Sequence, residues 1–250
     1  RDHTERMLAS MGIEIRTEPE GEGSRVTMVA PENQPLQPFD IALPGDFSSA
    51  AFLIVAALIT PGSEVLLRRV GLNPTRTGML DALAEMGADI QVCGQFTTAG
   101  EPVGDLLVRA SQLSGGRVSG TRVVRMIDEF PAFAAAAANA RGETAVSGAE
   151  ELRYKESDRI GLLCQGLGAI GAAAEERQDG FTIPGGGADG GTVEVGGDHR
   201  LAMSFAAAGL AARSPVVVRG AESFTESFPG FLEALRGLGA RIQVGPEGAE

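Results

Sequence analysis

Met86-Gly87-Ala88-Asp89-Ile90 is the stretch whose reading decides the fold. An amphipathic segment ends there on an apolar residue and a glycine, and the chain restarts at once as a short apolar run. That is a helix, a glycine stop and a strand. The same phrase occurs as Met11-Gly12-Ile13-Glu14-Ile15, as Ile170-Gly171-Ala172-Ala173-Ala174 and as Leu238-Gly239-Ala240-Arg241-Ile242. Copies stand about 68 to 84 residues apart, too far for a solenoid and suited to a duplicated α/β unit.

A second echo lies upstream of the last three copies. Pro44-Gly45-Asp46 precedes an Ala-rich run over residues 50–59, Ile127-Asp128-Glu129 precedes one over 132–140, and Gly197-Asp198-His199 precedes one over 201–212. Each run is apolar almost all round, which predicts a buried helix. A β-like run follows each: Glu64-Val65-Leu66-Leu67, Thr144-Ala145-Val146 and Pro215-Val216-Val217-Val218. The unit therefore reads acid, buried helix, strand, loop, second helix, glycine stop, strand and a further strand. Residues 1–11 read as the second helix of an earlier unit, followed by strands at Val26-Thr27-Met28-Val29 and Phe39-Asp40-Ile41-Ala42. Pro31, Pro35 and Pro38 mark a crossing between domains near residues 30–45. Gly185-Gly186-Gly187 with Gly190-Gly191 reads as a surface loop without a phosphate-cradling pattern, and residues 245–250 as a disordered tail.

The 250 residues are 43% hydrophobic and 22% charged, a globular balance. A net charge of −12 argues against nucleic acid and against an anionic membrane surface. No apolar run approaches the length of a membrane span. Cys93 and Cys164 are far apart and read as buried free thiols of a cytoplasmic protein. With His3 and His199 as the only imidazoles, a zinc site is not expected. The chain begins with Arg1 rather than Met and reads as starting in mid-protein.

Glu150-Glu151-Leu152-Arg153-Tyr154-Lys155-Glu156-Ser157-Asp158-Arg159-Ile160 concentrates charge ahead of a helical segment, residues 160–170. Ser157 or Asp158 can cap that helix, which sets Lys155, Glu156 and Arg159 beside a positive helix end. By itself the stretch reads more readily as a solvated charge run.

These blocks resemble the enolpyruvyl transferases, and within them the 5-enolpyruvylshikimate-3-phosphate synthases. The resemblance rests on Arg1-Asp2-His3-Thr4-Glu5-Arg6, Pro44-Gly45-Asp46-Phe47-Ser48-Ser49-Ala50, Asn73-Pro74-Thr75-Arg76-Thr77-Gly78 and Met126-Ile127-Asp128-Glu129-Phe130-Pro131. It continues through Lys155-Glu156-Ser157-Asp158-Arg159, Asp198-His199-Arg200-Leu201-Ala202-Met203-Ser204-Phe205 and Ser227-Phe228-Pro229-Gly230-Phe231. It implies an α/β (α+β) inside-out barrel of βαβαββ repeats, with residues 1–42 as the last helix and strands of a preceding domain and 43–250 as the second domain. It also implies transfer of the carboxyvinyl group of phosphoenolpyruvate to the 5-hydroxyl of shikimate 3-phosphate, with no cofactor or metal. The partner of this chain is then the N-terminal domain, the parent enzyme is a monomer, and the chain alone is inactive. The alternatives are the sister transferase acting on UDP-N-acetylglucosamine and a non-catalytic binding module.

Carried over residue by residue, Asp128 resembles the proton acceptor, Lys155 a group at the shikimate hydroxyl, and Glu156 the carboxyl that exchanges a proton with the vinyl methylene. Arg159 and Arg200 resemble the phosphoenolpyruvate ligands, suited by their bidentate guanidinium groups. Arg1 resembles a phosphate ligand, although a chain end is prone to fray. His199 reads as a structural or phosphate-orienting residue. Asp128 also reads as a helix N-cap, since Asp46 and Asp198 hold similar places, and Arg200 as the partner of Asp198. Arg76 and Arg125 read as structural. Glu226 departs from the members that carry Lys at that position.

Overall fold

A computed structural model describes residues 1–21, 23–29 and 36–245. The chain opens on helix α1 (His3–Ser10) and the antiparallel hairpin of β1 (Glu14–Glu20) and β2 (Gly23–Val29). Next come α2 (Phe47–Ile59), β3 (Glu64–Gly71), α3 (Gly78–Glu85), β4 (Asp89–Thr98) and β5 (Glu101–Arg109). The second unit holds β6 (Arg117–Val118), α4 (Thr121–Val124), α5 (Phe130–Ala138), β7 (Arg141–Val146), α6 (Arg159–Ala169), β8 (Glu175–Arg177) and β9 (Gly180–Gly185). The third holds β10 (Gly191–Glu194), α7 (His199–Gly209), β11 (Val216–Arg219), α8 (Phe224–Ser227) and α9 (Phe231–Gly237).

The repeat is visible in the strand order. β6 pairs in parallel with β7, and β9 and β8 follow antiparallel. In the first unit β6 is replaced by a single parallel bridge from Gly45 to Val70 on β3, with β5 and β4 following in the same order. The third unit opens the same way, with β10 parallel to β11. A parallel pair needs a crossover, and the Ala-rich helix supplies it each time.

Those three helices, α2, α5 and α7, pack on one another, and almost every residue on them is buried. Alanine lets the backbones come close, while Phe47, Phe52, Phe130, Phe133 and Phe205, each at most 2% exposed, fill the space between the layers. Helices lie inside and strands outside, which is the inside-out arrangement.

All four repeat glycines end their segments in the left-handed region: Gly12 at φ 89°, Gly87 at 89°, Gly171 at 76° and Gly239 at 97°. A Cβ is strained there, so glycine is the residue that turns the chain from helix to strand. The residue after each glycine donates back across the last turn, from Ile13 to Leu8, Ala88 to Leu83, Ala172 to Leu167 and Ala240 to Leu235, at 2.9–3.0 Å. This pair of features is the Schellman stop.

Four expectations need correction. Residues 39–42 form no strand: Pro38 and Pro44 bracket them, and among the described residues no neighbouring strand takes up their amides. Residues 241–245 are likewise irregular, so the fourth copy of the phrase ends a helix without starting a strand. Cys93 is exposed, because β4 has β5 on one side only and lies on the outer surface; Cys164 is buried. The glycine loop is shorter than expected, since Gly185 closes β9 and Gly191 opens β10. Residues 30–35 of the expected crossing and 246–250 of the expected tail lie outside the described residues. No described helix is long and apolar enough to cross a membrane.

Candidate active site

The N-termini of α2, α5 and α7 come together, and the candidate residues sit on them. Arg200, in the first turn of α7, donates from Nη1 to the main-chain oxygen of Asp128 at 3.2 Å. Ser48, in the first turn of α2, donates from Oγ to Oε1 of Glu129 at 2.5 Å. Three helix dipoles therefore turn their positive ends to one place, which favours anions there.

Asp46 and Asp198 each stand directly before a helix and cap it. Asp46 accepts from Ser49 N at 2.8 Å, and Asp198 from Arg200 N and Leu201 N at 2.9 and 3.2 Å. Asp128 does not cap α5, so its expected cap role is corrected. Glu129 holds the residue before Phe130 and makes no side-chain cap. Asp128 lies one residue further out, and its carboxylate is free of the helix. Arg1 donates to it from Nη2 at 2.7 Å, and an Nη2 of Arg200 lies 4.0 Å away. Burial pushes the Asp128 carboxyl up, but the charges of Arg200, Arg1 and Lys155 outweigh it and hold the group below the usual carboxylate range. Asp128 is thus an ionised carboxylate lying between two guanidinium groups. Arg1, at the end of the chain, rests on Asp128.

Arg200 does not partner Asp198 with its side chain either. That place belongs to Arg159, whose Nε lies 2.8 Å from Asp198 Oδ2. Ser157 Oγ donates to the same oxygen at 2.8 Å, and Glu156 Oε2 lies 2.6 Å from Arg159 Nη2. Arg159 starts α6, which Asp158 caps through Gly161 N at 3.0 Å. Burial raises Asp198, and its bonds to Arg159 reverse the shift and hold it low. Arg159 Nη1 and Arg200 Nε are buried without a partner among the described residues. Lys155 reaches back one turn to Glu151.

His199 is half-buried. Burial and the Arg200 charge press its imidazole below the ordinary value, so it is neutral near pH 7. Arg76 bonds Asp46 and Ser48, and Arg125 bonds Pro74 O and Asp81, which are structural roles. Glu226 is exposed on α8 and forms no ion pair among the described residues. Among the described residues no group of three or more His, Cys, Asp or Glu side chains is placed to hold a metal.

Glu129 is a further member of the site, not singled out from the sequence. It is 1% exposed, and burial pushes its carboxyl above the usual range, with the neighbouring Asp128 charge acting the same way. Two adjacent carboxyls at one helix start are thus driven apart, Asp128 lowered by its arginines and Glu129 raised by burial. The signal was an acid directly before the helix, as at Asp46 and Asp198.

A model of the EPSP synthase family (3-phosphoshikimate 1-carboxyvinyltransferase) matches residues 1–235. The chain belongs to that family. A 3-phosphoshikimate 1-carboxyvinyltransferase of Magnetococcus marinus is 49% identical over 246 residues, covering 97% of this chain and 54% of the relative. One from Xanthomonas campestris pv. campestris is 50% identical over 246 residues, covering 98% and 55%. The chain thus spans about half the length of the curated relatives it matches. Among solved structures, EPSP synthase from Acinetobacter baumannii superposes with a TM-score of 0.92 at 41% identity, covering 98% of this chain and 56% of that one. The enolpyruvyl transferase NikO from Streptomyces tendae superposes with a TM-score of 0.71 at 20% identity over 94% of this chain and 52% of that one. At that identity the likeness concerns the fold alone.

Proposed function

We propose that this chain supplies one wall of a site that transfers the carboxyvinyl group of phosphoenolpyruvate to the 5-hydroxyl of shikimate 3-phosphate and releases phosphate, in the cytoplasm. The observation that carries the reading is the meeting of Arg1, Asp128 and Arg200 where three helix N-termini converge, beside the buried Arg159. Residues 1–42 belong to a preceding domain and 43–250 to the second. The length of the relatives that this chain does not cover supplies the opposite wall, and the chain alone does not turn over.

The chemistry asks for a base, an acid and fixed positive charge. Asp128, ionised, accepts the hydroxyl proton as the oxygen bonds to C2 of phosphoenolpyruvate. Lys155 steadies that oxygen. Glu156 delivers a proton to the methylene carbon, giving a tetrahedral intermediate. The C2–O bond to phosphate then breaks, Glu156 takes a methyl proton back, and the proton held by Asp128 leaves with the phosphate. Arg159 and Arg200 supply positive charge for the carboxylate and phosphate, Arg1 holds the ring phosphate, and neutral His199 orients a phosphate oxygen.

The test is phosphate release on mixing the chain with the complementary N-terminal half of a family member, phosphoenolpyruvate and shikimate 3-phosphate. Release by the mixture and not by either half is expected. No release with both halves folded and associated, or release with UDP-N-acetylglucosamine instead, overturns the reading.

A further inference from the structure

Arg1 lies on Asp128 and directly precedes Asp2, the N-cap residue of α1. The anchor is Asp2, which Asn73 and Arg6 hold from two sides. Asn73 is 2% exposed, and its side-chain amide donates to Asp2 Oδ1 at 2.6 Å and to Glu101 Oε2 at 3.0 Å. Its own oxygen is used in the turn of residues 73–76, accepting from Thr75 N at 2.9 Å and Thr75 Oγ1 at 2.7 Å. The amide is thereby locked in the orientation that points both N–H groups at carboxylates. Arg6 Nε closes the other side of Asp2 at 2.8 Å, and His3 Nδ1 lies 2.7 Å from Glu101 Oε1.

The same turn reaches the other member of the pair. Arg76 Nη2 donates to Ser48 Oγ at 2.7 Å, and Ser48 donates on to Glu129, next to Asp128. Arg125, three residues before Asp128, donates from Nε to Pro74 O at 2.7 Å, and Gly78 N donates to Arg125 O at 3.1 Å. One turn therefore grips the segment that carries Arg1 and the segment that carries Asp128. A side chain at Gly78 is excluded there, since a Cβ would lie 2.9 Å from Arg125 Cβ and 3.0 Å from Arg122 O.

We infer that Asn73 is a positioning residue, which through Asp2 holds the Arg1 guanidinium on the Asp128 carboxylate. It touches no reacting atom. Without it the two carboxylates it bridges face each other unbridged, and the hold on the segment loosens although Arg6 and His3 remain beside them. The inference takes from the proposed function the view that Arg1 and Asp128 face substrate.

The experiment is a carbon-detected NMR titration of the Asp128 and Asp198 carboxyls in the 250-residue chain. Arg1→Ala sets the scale, by the upward shift of the Asp128 midpoint when the guanidinium is lost. Asn73→Ala is expected to raise that midpoint by a similar amount, to add nothing on top of Arg1→Ala, and to leave Asp198 where Arg159 holds it. Asn73→Ser, which keeps one donor, gives a smaller shift and serves if the alanine variant does not fold. An Asp128 midpoint that does not move, or a matching shift of Asp198, overturns the inference, because both describe a residue that only supports the fold. The titration needs no turnover, so it decides this point even where the transferase reading fails. In a turning-over mixture, the same variants raise KM for shikimate 3-phosphate more than they lower kcat.

Discussion

Arg159 and Asp198 form a buried ion pair at 2.8 Å, with side chains 1% and 0% exposed. It joins the start of α6 to the start of α7. Asp198 also caps α7, so one carboxylate satisfies a guanidinium and two backbone amides. An isolated charge in such a place is costly, and losing one partner leaves the other uncompensated.

Asp198→Asn is therefore expected to destabilise the chain by roughly 3–5 kcal/mol, read by denaturant unfolding at neutral pH. Asp198 is held below its ordinary range in the folded state, so its contribution is present above the unfolded pKa and fades as pH falls through the folded one. The gap between variant and parent should narrow in acid. A gap independent of pH contradicts the account.

Glu129 works in the opposite sense. Burial raises its carboxyl in the folded state, so its contribution is full below the unfolded pKa and is lost as pH rises toward the folded one. Glu129→Gln keeps an acceptor for Ser48 and cannot ionise. Its stability relative to the parent should improve between acid and neutral pH in chemical denaturation. A relative stability that declines over that range would show Glu129 to be ionised in the folded chain.

Two glycines of one helix should respond in opposite ways. Gly171 has φ 76°, and a Cβ there would meet Asp189 Cβ at 2.8 Å, so Gly171→Ala should cost more than about 1 kcal/mol. Gly168, inside α6, has open space at its Cβ position, and Gly168→Ala should stabilise by about 0.5–1 kcal/mol. Thermal unfolding of the pair checks both signs.

The N-cap of α2 gives a smaller test. Asp46→Ala removes the acceptor of Ser49 N and a partner of Arg76, and is expected to cost about 1 kcal/mol in urea unfolding. An unchanged midpoint would mean that water replaces the cap without loss.

The repeat was legible because each unit ends on a residue that chemistry leaves little choice about. Gly12, Gly87, Gly171 and Gly239 all take the left-handed conformation that the phrase required. The buried helices were legible from their lack of a polar face. The strands at 39–42 and after Gly239 were misread because an apolar alternation makes a strand only where a neighbour takes up its amides. Cys93 was misread for a related reason: the inside-out layout turns strand faces to solvent.

At the site, the sequence named Asp128, Arg159 and Arg200, which the structure places at the starts of α5, α6 and α7, and their pairing was not legible. Asp46 and Asp198 abut their helices, whereas Asp128 stands one residue further out. That single-residue offset turns a cap into a carboxylate open to Arg1 and Arg200, and it puts Glu129 in the buried place. Arg159 and Arg200 lie near Asp198 and Asp128, and which arginine takes which carboxylate depends on the packing of α5, α6 and α7, a long-range matter that no local spacing fixes.

The central claim is that Asp128 accepts a proton at a working site completed by the other half of the enzyme. The most direct measurement is phosphate release from phosphoenolpyruvate and shikimate 3-phosphate by the reconstituted halves, comparing the parent chain with Asp128→Asn, after unfolding curves have shown both to be folded. The predicted result is a loss of about 10²–10⁴ in rate with association of the halves intact. Undiminished release by the variant would contradict the account.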